Sequence, residues 1–151
     1  MKSFFIISIL FFISFSAQAQ SEQKVKWQFQ SVKKGNNVYE IRLFARIDNG
    51  WHLYSQHQTN DAIALPTSII FSKNPLVSFI GPIKEKGKLF DEVETATRTR
   101  SRYYTNNVQF VQSVKLKKSI KTSLSGEIEF MVCDDKQCLP PGKVKFLVKL
   151  Q

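Results

Sequence analysis

Apolar and polar residues alternate one by one through most of this chain, so most of it must be strand with one buried face. Val25, Trp27 and Phe29 alternate with Lys26, Gln28 and Gln30. After the turn-forming run Lys33-Lys34-Gly35-Asn36-Asn37, the pattern resumes with Tyr39, Ile41, Leu43, Ala45 and Ile47. Glu40, Arg42 and Arg46 lie opposite, with Phe44 as the exception. The two runs read as a hairpin, closed by Asp48-Asn49-Gly50, where Asn and Gly tolerate positive φ. Trp51 to Ser55 reads as a short aromatic strand, and the polar stretch 56–66 as a loop. Further strands are expected over Thr67–Ser72 and Leu76–Ile80, with Gly81-Pro82 ending the second. Residues 83–101 break the alternation and are expected to form a long exposed loop. Val108, Phe110, Gln112, Val114 and Leu116 share one parity, as do Ile128, Phe130 and Val132, and Val144 to Leu150. No amphipathic helix of useful length follows the N-terminal segment. Many short strands separated by turn residues predict an all-β fold, an antiparallel β-sandwich.

The first 19 residues are set apart. Lys2 is a minimal charged region, Phe4 to Phe15 is apolar apart from serines, and Ala17-Gln18-Ala19 has the small-x-small form of a signal-peptidase site. This predicts a cleaved signal peptide over 1–19 and one exported domain over 20–151. No cysteine follows the apolar run, which argues against a lipid anchor. No later run reaches membrane length, so no stable membrane insertion is expected after cleavage. The formal net charge is +10, which suits an anionic membrane surface or an acidic partner. The lysines and arginines are spread along the alternating strands, however, as on solvated sheet faces. No dense basic block carries interleaved aromatics, and export argues against nucleic acid.

Chemistry concentrates where the alternation ends. Phe130-Met131-Val132 leads into Cys133, four polar residues follow, and Cys138-Leu139-Pro140-Pro141 closes the stretch. These are the two cysteines of the chain, and in an exported protein they are expected to pair. The bridge would close so small a loop that the chain-entropy gain is about 2 kcal/mol. Stabilising the whole fold is therefore a weak reason for it. Pinning a turn and presenting a reversible disulfide are the two better ones, and spacing alone slightly favours the first. The polar residues Asp134 to Gln137 put the bridge at a solvent-facing turn, where disulfides are more easily reduced. Lys136 would favour a thiolate and Asp134 and Asp135 would oppose it. The diproline cannot continue a hydrogen-bonded central strand and fixes where the chain leaves the sheet.

The element Gly126-x-Ile128-x-Phe130-x-Val132-Cys133-x4-Cys138-x-Pro140-Pro141 resembles the N-terminal periplasmic domain of the thiol:disulfide interchange protein DsbD. Gly50-Trp51-His52-Leu53-Tyr54 is similar to that family's Gly-aromatic-aromatic-Leu-Tyr stretch, and Asp91-Glu92-Val93 to its Asp-Glu-Phe cap loop. The three occur in the family's order across nearly the whole exported chain. The resemblance implies an immunoglobulin-like sandwich in the periplasm whose cysteine pair shuttles between dithiol and disulfide. It implies thioredoxin-fold partners, Cys138 as the attacking thiol and Cys133 as the resolving one. It places Tyr54 beside the pair and Asp91 and Glu92 in a cap whose aromatic covers the disulfide.

Some positions depart from the family. The cap aromatic is Val93 here, with Phe90 close enough to substitute, and His52 stands in place of one aromatic. The cysteine spacing is one residue shorter than in the best-known members, and the loop after Val93 is longer. The electron donor is expected to be another chain, such as a separate membrane reductase. The competing expectation is a non-enzymatic binding or adaptor domain with a structural Cys133–Cys138 bridge. In that reading Trp51 and Tyr54 are core residues, and Asp91 and Glu92 are solvated loop charges. No cofactor and no metal is expected. His52-x4-His57 and the cysteine pair fall within loose zinc spacings, but thiols exported to an oxidising space pair with each other instead.

Overall fold

The computed structural model describes residues 24–93 and 98–151. The expected signal peptide, residues 1–19, lies outside them, as do residues 94–97 of the expected loop. Among the described residues nine strands run in chain order: β1 (Val25–Gly35), β2 (Val38–Ile47), β3 (His52–Tyr54), β4 (Ser68–Phe71), β5 (Val77–Val93), β6 (Arg100–Leu116), β7 (Thr122–Phe130), β8 (Val132–Cys133) and β9 (Gly142–Leu150). Six form a sheet in the order β1-β2-β6-β3-β8, with β5 along the other edge of β6; β4-β7-β9 form the second sheet. All pairings are antiparallel. The chain is an immunoglobulin-like β-sandwich.

The alternation lays out the core. Ile41, Leu43 and Ala45 of β2 and Val108, Phe110 and Val114 of β6 face Leu124, Ile128 and Phe130 of β7, all fully buried or nearly so. Trp27 packs on Phe110 and Phe130, and Phe29 and Phe71 on Phe146. The β1–β2 hairpin turns at Asn37, whose φ of 60° is in the left-handed region that asparagine tolerates.

Two expectations fail together. Gly81-Pro82 does not end a strand, and most of 83–101 is not a loop. The strand bulges between Ile80 and Lys84 and then pairs with β6 as far as Val93. Gly81 supplies the positive φ, 66°, that the bulge requires. Proline is tolerated because β5 is an edge strand whose outer side needs no ladder bond. Alternation does not reveal the extension because both of its faces are wet.

Gln112 shares parity with the core and is buried. Its amide nitrogen donates to the carbonyls of Gly81 at 3.1 Å and Ser113 at 2.8 Å, so this buried polar side chain is satisfied at the bulge. Gln112→Leu would remove these bonds and is expected to cost about 1–3 kcal/mol. Urea unfolding measures this as a lower midpoint at unchanged slope.

Candidate functional site

The cysteines sit where the chain changes sheets. Phe130 ends β7 opposite Gly142 in the small sheet, while Val132 and Cys133 pair with Leu53 and His52 in the large one. Met131 is the crossing residue. Val132 and Leu53 point into the core, so alternation turns Met131, Cys133, His52 and Tyr54 outward. Tyr54, Ala64 and Cys133 form a small apolar cluster of their own, with Tyr103 and Met131 against it.

A four-residue turn returns the chain to Cys138, which faces Cys133 in an antiparallel bridge. The two are disulfide-bonded with Cα atoms 4.0 Å apart. Backbone bonds flank the pair: Asp134 N–H donates to Gln137 O and Leu139 N–H to Val132 O, both at 2.9 Å. The cysteines thus occupy a non-hydrogen-bonded position, where side chains of facing residues are closest. Asp134 closes the turn by accepting from the N–H groups of Lys136 and Gln137 at 2.8 and 2.7 Å.

Those two bonds hold the Asp134 carboxyl below its ordinary value of 3.8. A carboxylate with a depressed folded value stabilises fully above the unfolded one and loses this as pH falls through the folded one. The Lys136 and Gln137 amide resonances are therefore expected to stay constant from about pH 8 to 5 and to shift only below about 4.

The hairpin holds its shape through hydrogen bonds as well as through sulfur. Replacing both cysteines by serine is expected to cost no more than about 2 kcal/mol, the small-loop entropy term. A thermal or urea transition that remains cooperative would show this, and an unfolded double variant would contradict it.

Exposure divides the pair. Cys133 is 3 % exposed, whereas Cys138 is on the surface. The disulfide lines a hollow of about 430 Å³ with Tyr54, Ile63, Ala64, Met131 and the turn. A smaller hollow of about 180 Å³ adjoins it, lined by His52, Tyr54, Glu92, Val93, Tyr103 and Asp135 among others.

The β5–β6 extension stands over this end. Phe90 and Glu92 lie across from Tyr103 and Ser101. Phe90 stacks on Tyr103, rings 5.3 Å apart and 6° from parallel, and Tyr103 also meets His52 at 4.6 Å and Tyr54 at 6.5 Å. The Tyr103 hydroxyl donates to Glu92 Oε2 at 2.7 Å. Burial first, then that bond, pushes its pKa up to about 12, so the phenol stays a donor at any physiological pH. Asp91 points the other way and accepts from Arg100 and Arg102. The Arg100 guanidinium foremost holds its carboxyl below the usual range.

Seven of the eight residues singled out in the sequence converge on these two hollows and the stack above them; Asp91 serves instead to clamp β5 to β6. Neither Phe90 nor Val93 lines the hollow that contains the cysteines. Phe90 is occupied by Tyr103, and Val93 belongs to the adjoining hollow. His52 lies 3.9 Å from Asp135. His57 is apart on the 55–66 loop, its carbonyl accepting from Arg102. Among the described residues no group of three or more metal-ligating side chains occurs.

Sequence reasoning missed Tyr103, Met131 and Ile63. Met131 was legible, being two residues from Cys133 on the same outward parity. Tyr103 was not, because it reaches Tyr54 only through the β3–β6 register. Ile63, 70 % exposed, is held beside the disulfide by a loop tied to β6. Gln58 and Thr59 side chains bond the Arg102 and Arg100 carbonyls, and Asp61 accepts from Arg100 N–H.

The sequence model of the thiol:disulfide interchange protein DsbD, N-terminal, matches residues 16–150. The chain belongs to this family. No curated protein matches it in sequence. Among solved structures, the N-terminal periplasmic domain of ScsB from Proteus mirabilis is similar, with a TM-score of 0.50 and 14% identity over 81% of this chain. This chain spans only 44% of that one. The reduced DsbD N-terminal domain of Neisseria meningitidis gives 0.46 and 17%, covering 86% of this chain and 93% of that one. The complex of the DsbD and PilB N-terminal domains from the same organism gives 0.46 and 15%, with 80% of each chain covered. At 14% identity the likeness to the ScsB domain concerns the fold alone. The matched residues 16–150 include the whole cysteine hairpin.

Proposed function

We propose that this DsbD N-terminal-family domain is an exported, periplasmic thiol:disulfide exchange module. It passes electrons to or from thioredoxin-fold partners through Cys133 and Cys138. The observation that carries the proposal is the unequal exposure of the two cysteines in a hairpin that hydrogen bonds also hold. A structural staple needs neither property.

In the reducing direction, the Cys138 thiolate attacks one sulfur of a partner's disulfide. The partner's other sulfur leaves as a thiolate and takes up a proton, and Cys138 is joined to the partner. The Cys133 thiol loses its proton and attacks Cys138 Sγ, which releases the second partner thiolate. The partner gains two electrons and two protons; the domain ends with its disulfide. A donor dithiol of the thioredoxin-fold class, supplied by another protein, runs the same steps in reverse. The hollow beside Cys138 leaves room for the partner's sulfur, with Tyr54, Met131 and Ile63 as apolar contacts. Phe90, Glu92 and Val93 form the overhang that a partner must pass.

The test is a trap. Cys133→Ala keeps the exposed thiol and removes the resolving one. Mixed with an oxidised thioredoxin-fold protein, it is expected to accumulate a reducible covalent complex on non-reducing gels. Absence of any complex, with Cys138 titrating as a free thiol, would remove the reading in favour of a structural bridge in a binding domain.

A further inference from the structure

The outer face of the large sheet carries a charge pattern that the fold does not require. Lys26 of β1 lies directly across from Arg46 of β2, and like charges so placed destabilise a sheet. Arg42 and Lys84 flank Val111 from opposite sides, as Phe44 and Lys86 flank Gln109. Across the width of β1, β2, β6 and β5, five cations thus share one face. Glu40, the acid among them, is taken by Arg42 at 2.7 Å. Among the described residues Lys26, Arg46, Lys84 and Lys86 form no ion pair. The small sheet does the opposite. There Glu127 faces Lys145 and Glu129 faces Lys143, and Lys143 lies 3.3 Å from Glu129. The small sheet sets a lysine across from each of its two acids, while four cations of the large sheet have no ion-pair partner among the described residues.

Phe44 stands in the middle of the cationic face, half-buried beside an open hollow of about 550 Å³ lined by Gln28, Gln30, Arg42 and Gln109. The ring is bordered there by three amides and the Arg42 guanidinium.

We propose that this face seats the protein on an anionic phospholipid surface. Cationic heads on flexible stems, with no fixed acceptor, fit a diffuse layer of phosphate charge better than a shaped small-molecule site. Each such residue adds to the attraction for an anionic leaflet, and salt screens it. Phe44 is the apolar contact that enters the headgroup layer. The seat also locates the cysteines. Gln109 and Tyr103 are on one strand six residues apart, about 20 Å, so the disulfide stays close to the lipid. The proposal does not depend on the exchange reading.

The test uses the protein as recovered from an exporting cell, sedimented with vesicles of phosphatidylcholine alone or with about 30 mole per cent phosphatidylglycerol, roughly one anionic lipid in three. Binding is expected with phosphatidylglycerol only, lost on raising salt from about 0.05 to 0.5 M. Lys84→Glu with Lys86→Glu is expected to weaken it at least about tenfold. Lys145→Glu with Lys149→Glu, the same charge change on the other sheet, is expected to leave it within about threefold. Milder Lys84→Gln with Lys86→Gln gives the same order if the glutamates disturb folding. Equal losses from the two faces would show a net-charge effect and overturn the proposal. So would equal binding to phosphatidylcholine, which marks apolar insertion, or displacement from the vesicles by heparin at equal charge concentration, which marks a general polyanion face.

Discussion

Cys138→Ser is expected to reduce disulfide transfer to an oxidised thioredoxin-fold protein on the order of a thousandfold, because it removes the sulfur proposed to meet the partner. Cys133→Ser is expected to fail differently. Its first step proceeds at close to the parent rate and stops at the mixed disulfide, since the buried resolving thiol is gone. The two variants separate the roles: one shows no covalent complex, the other a complex that never turns over. The asymmetry follows from the fold. Alternation along β8 turns Cys133 outward, but Tyr54, Ala64, Tyr103 and Met131 close over it, while the turn carries Cys138 out into solvent. Stopped-flow tryptophan fluorescence and acid-quenched gels read the two phases. Identical behaviour of the variants would mean that burial does not set the order of attack.

Gly126→Ala is expected to cost about 2–3 kcal/mol, the largest stability loss among the single substitutions considered. A methyl group at this position would lie 2.4 Å from Phe146 Cζ and 2.5 Å from the Ile70 carbonyl oxygen. The ring can rotate, but the carbonyl belongs to the neighbouring strand and can yield only if β4 moves off β7. Phe146 packs on Phe29 and Phe71, so its displacement spreads into the core. Urea unfolding should show a lower midpoint with cooperative loss. Gly35→Ala, where nothing lies within 4 Å, is the control and should change stability by no more than about 0.5 kcal/mol.

Gly126 also shows how far residues alone can carry the argument. Its place in the family element was legible; the reason for it is a close approach between strands that no local pattern encodes. The buried strands were legible for a simple reason. One face of β1, β2, β7 and β9 meets the core and the other meets water, so the alternation is printed in the chain. The β5–β6 extension lacks that contrast, and Lys84 to Lys88 therefore reads as a loop. Pro82 reads as a stop because a proline cannot sit in a central strand, and β5 is an edge strand. At the site, the cysteine turn was local and readable down to the polar residues that expose it. The cluster around it was not, because Tyr103, Ile63 and Ala64 reach Tyr54 and Cys133 only through pairing and loop anchoring. The residues expected to form a cap lie on β5, and Phe90 stacks on Tyr103 instead of lining the hollow that holds the disulfide.

The central claim is that the Cys133–Cys138 bridge exists to be opened. Its reduction potential, measured by equilibrating the protein with glutathione buffers and counting free thiols, tests this most directly. A value near about −200 mV, within reach of thioredoxin-fold dithiols, is the predicted result. A value below roughly −300 mV would mark a structural bridge and contradict the account.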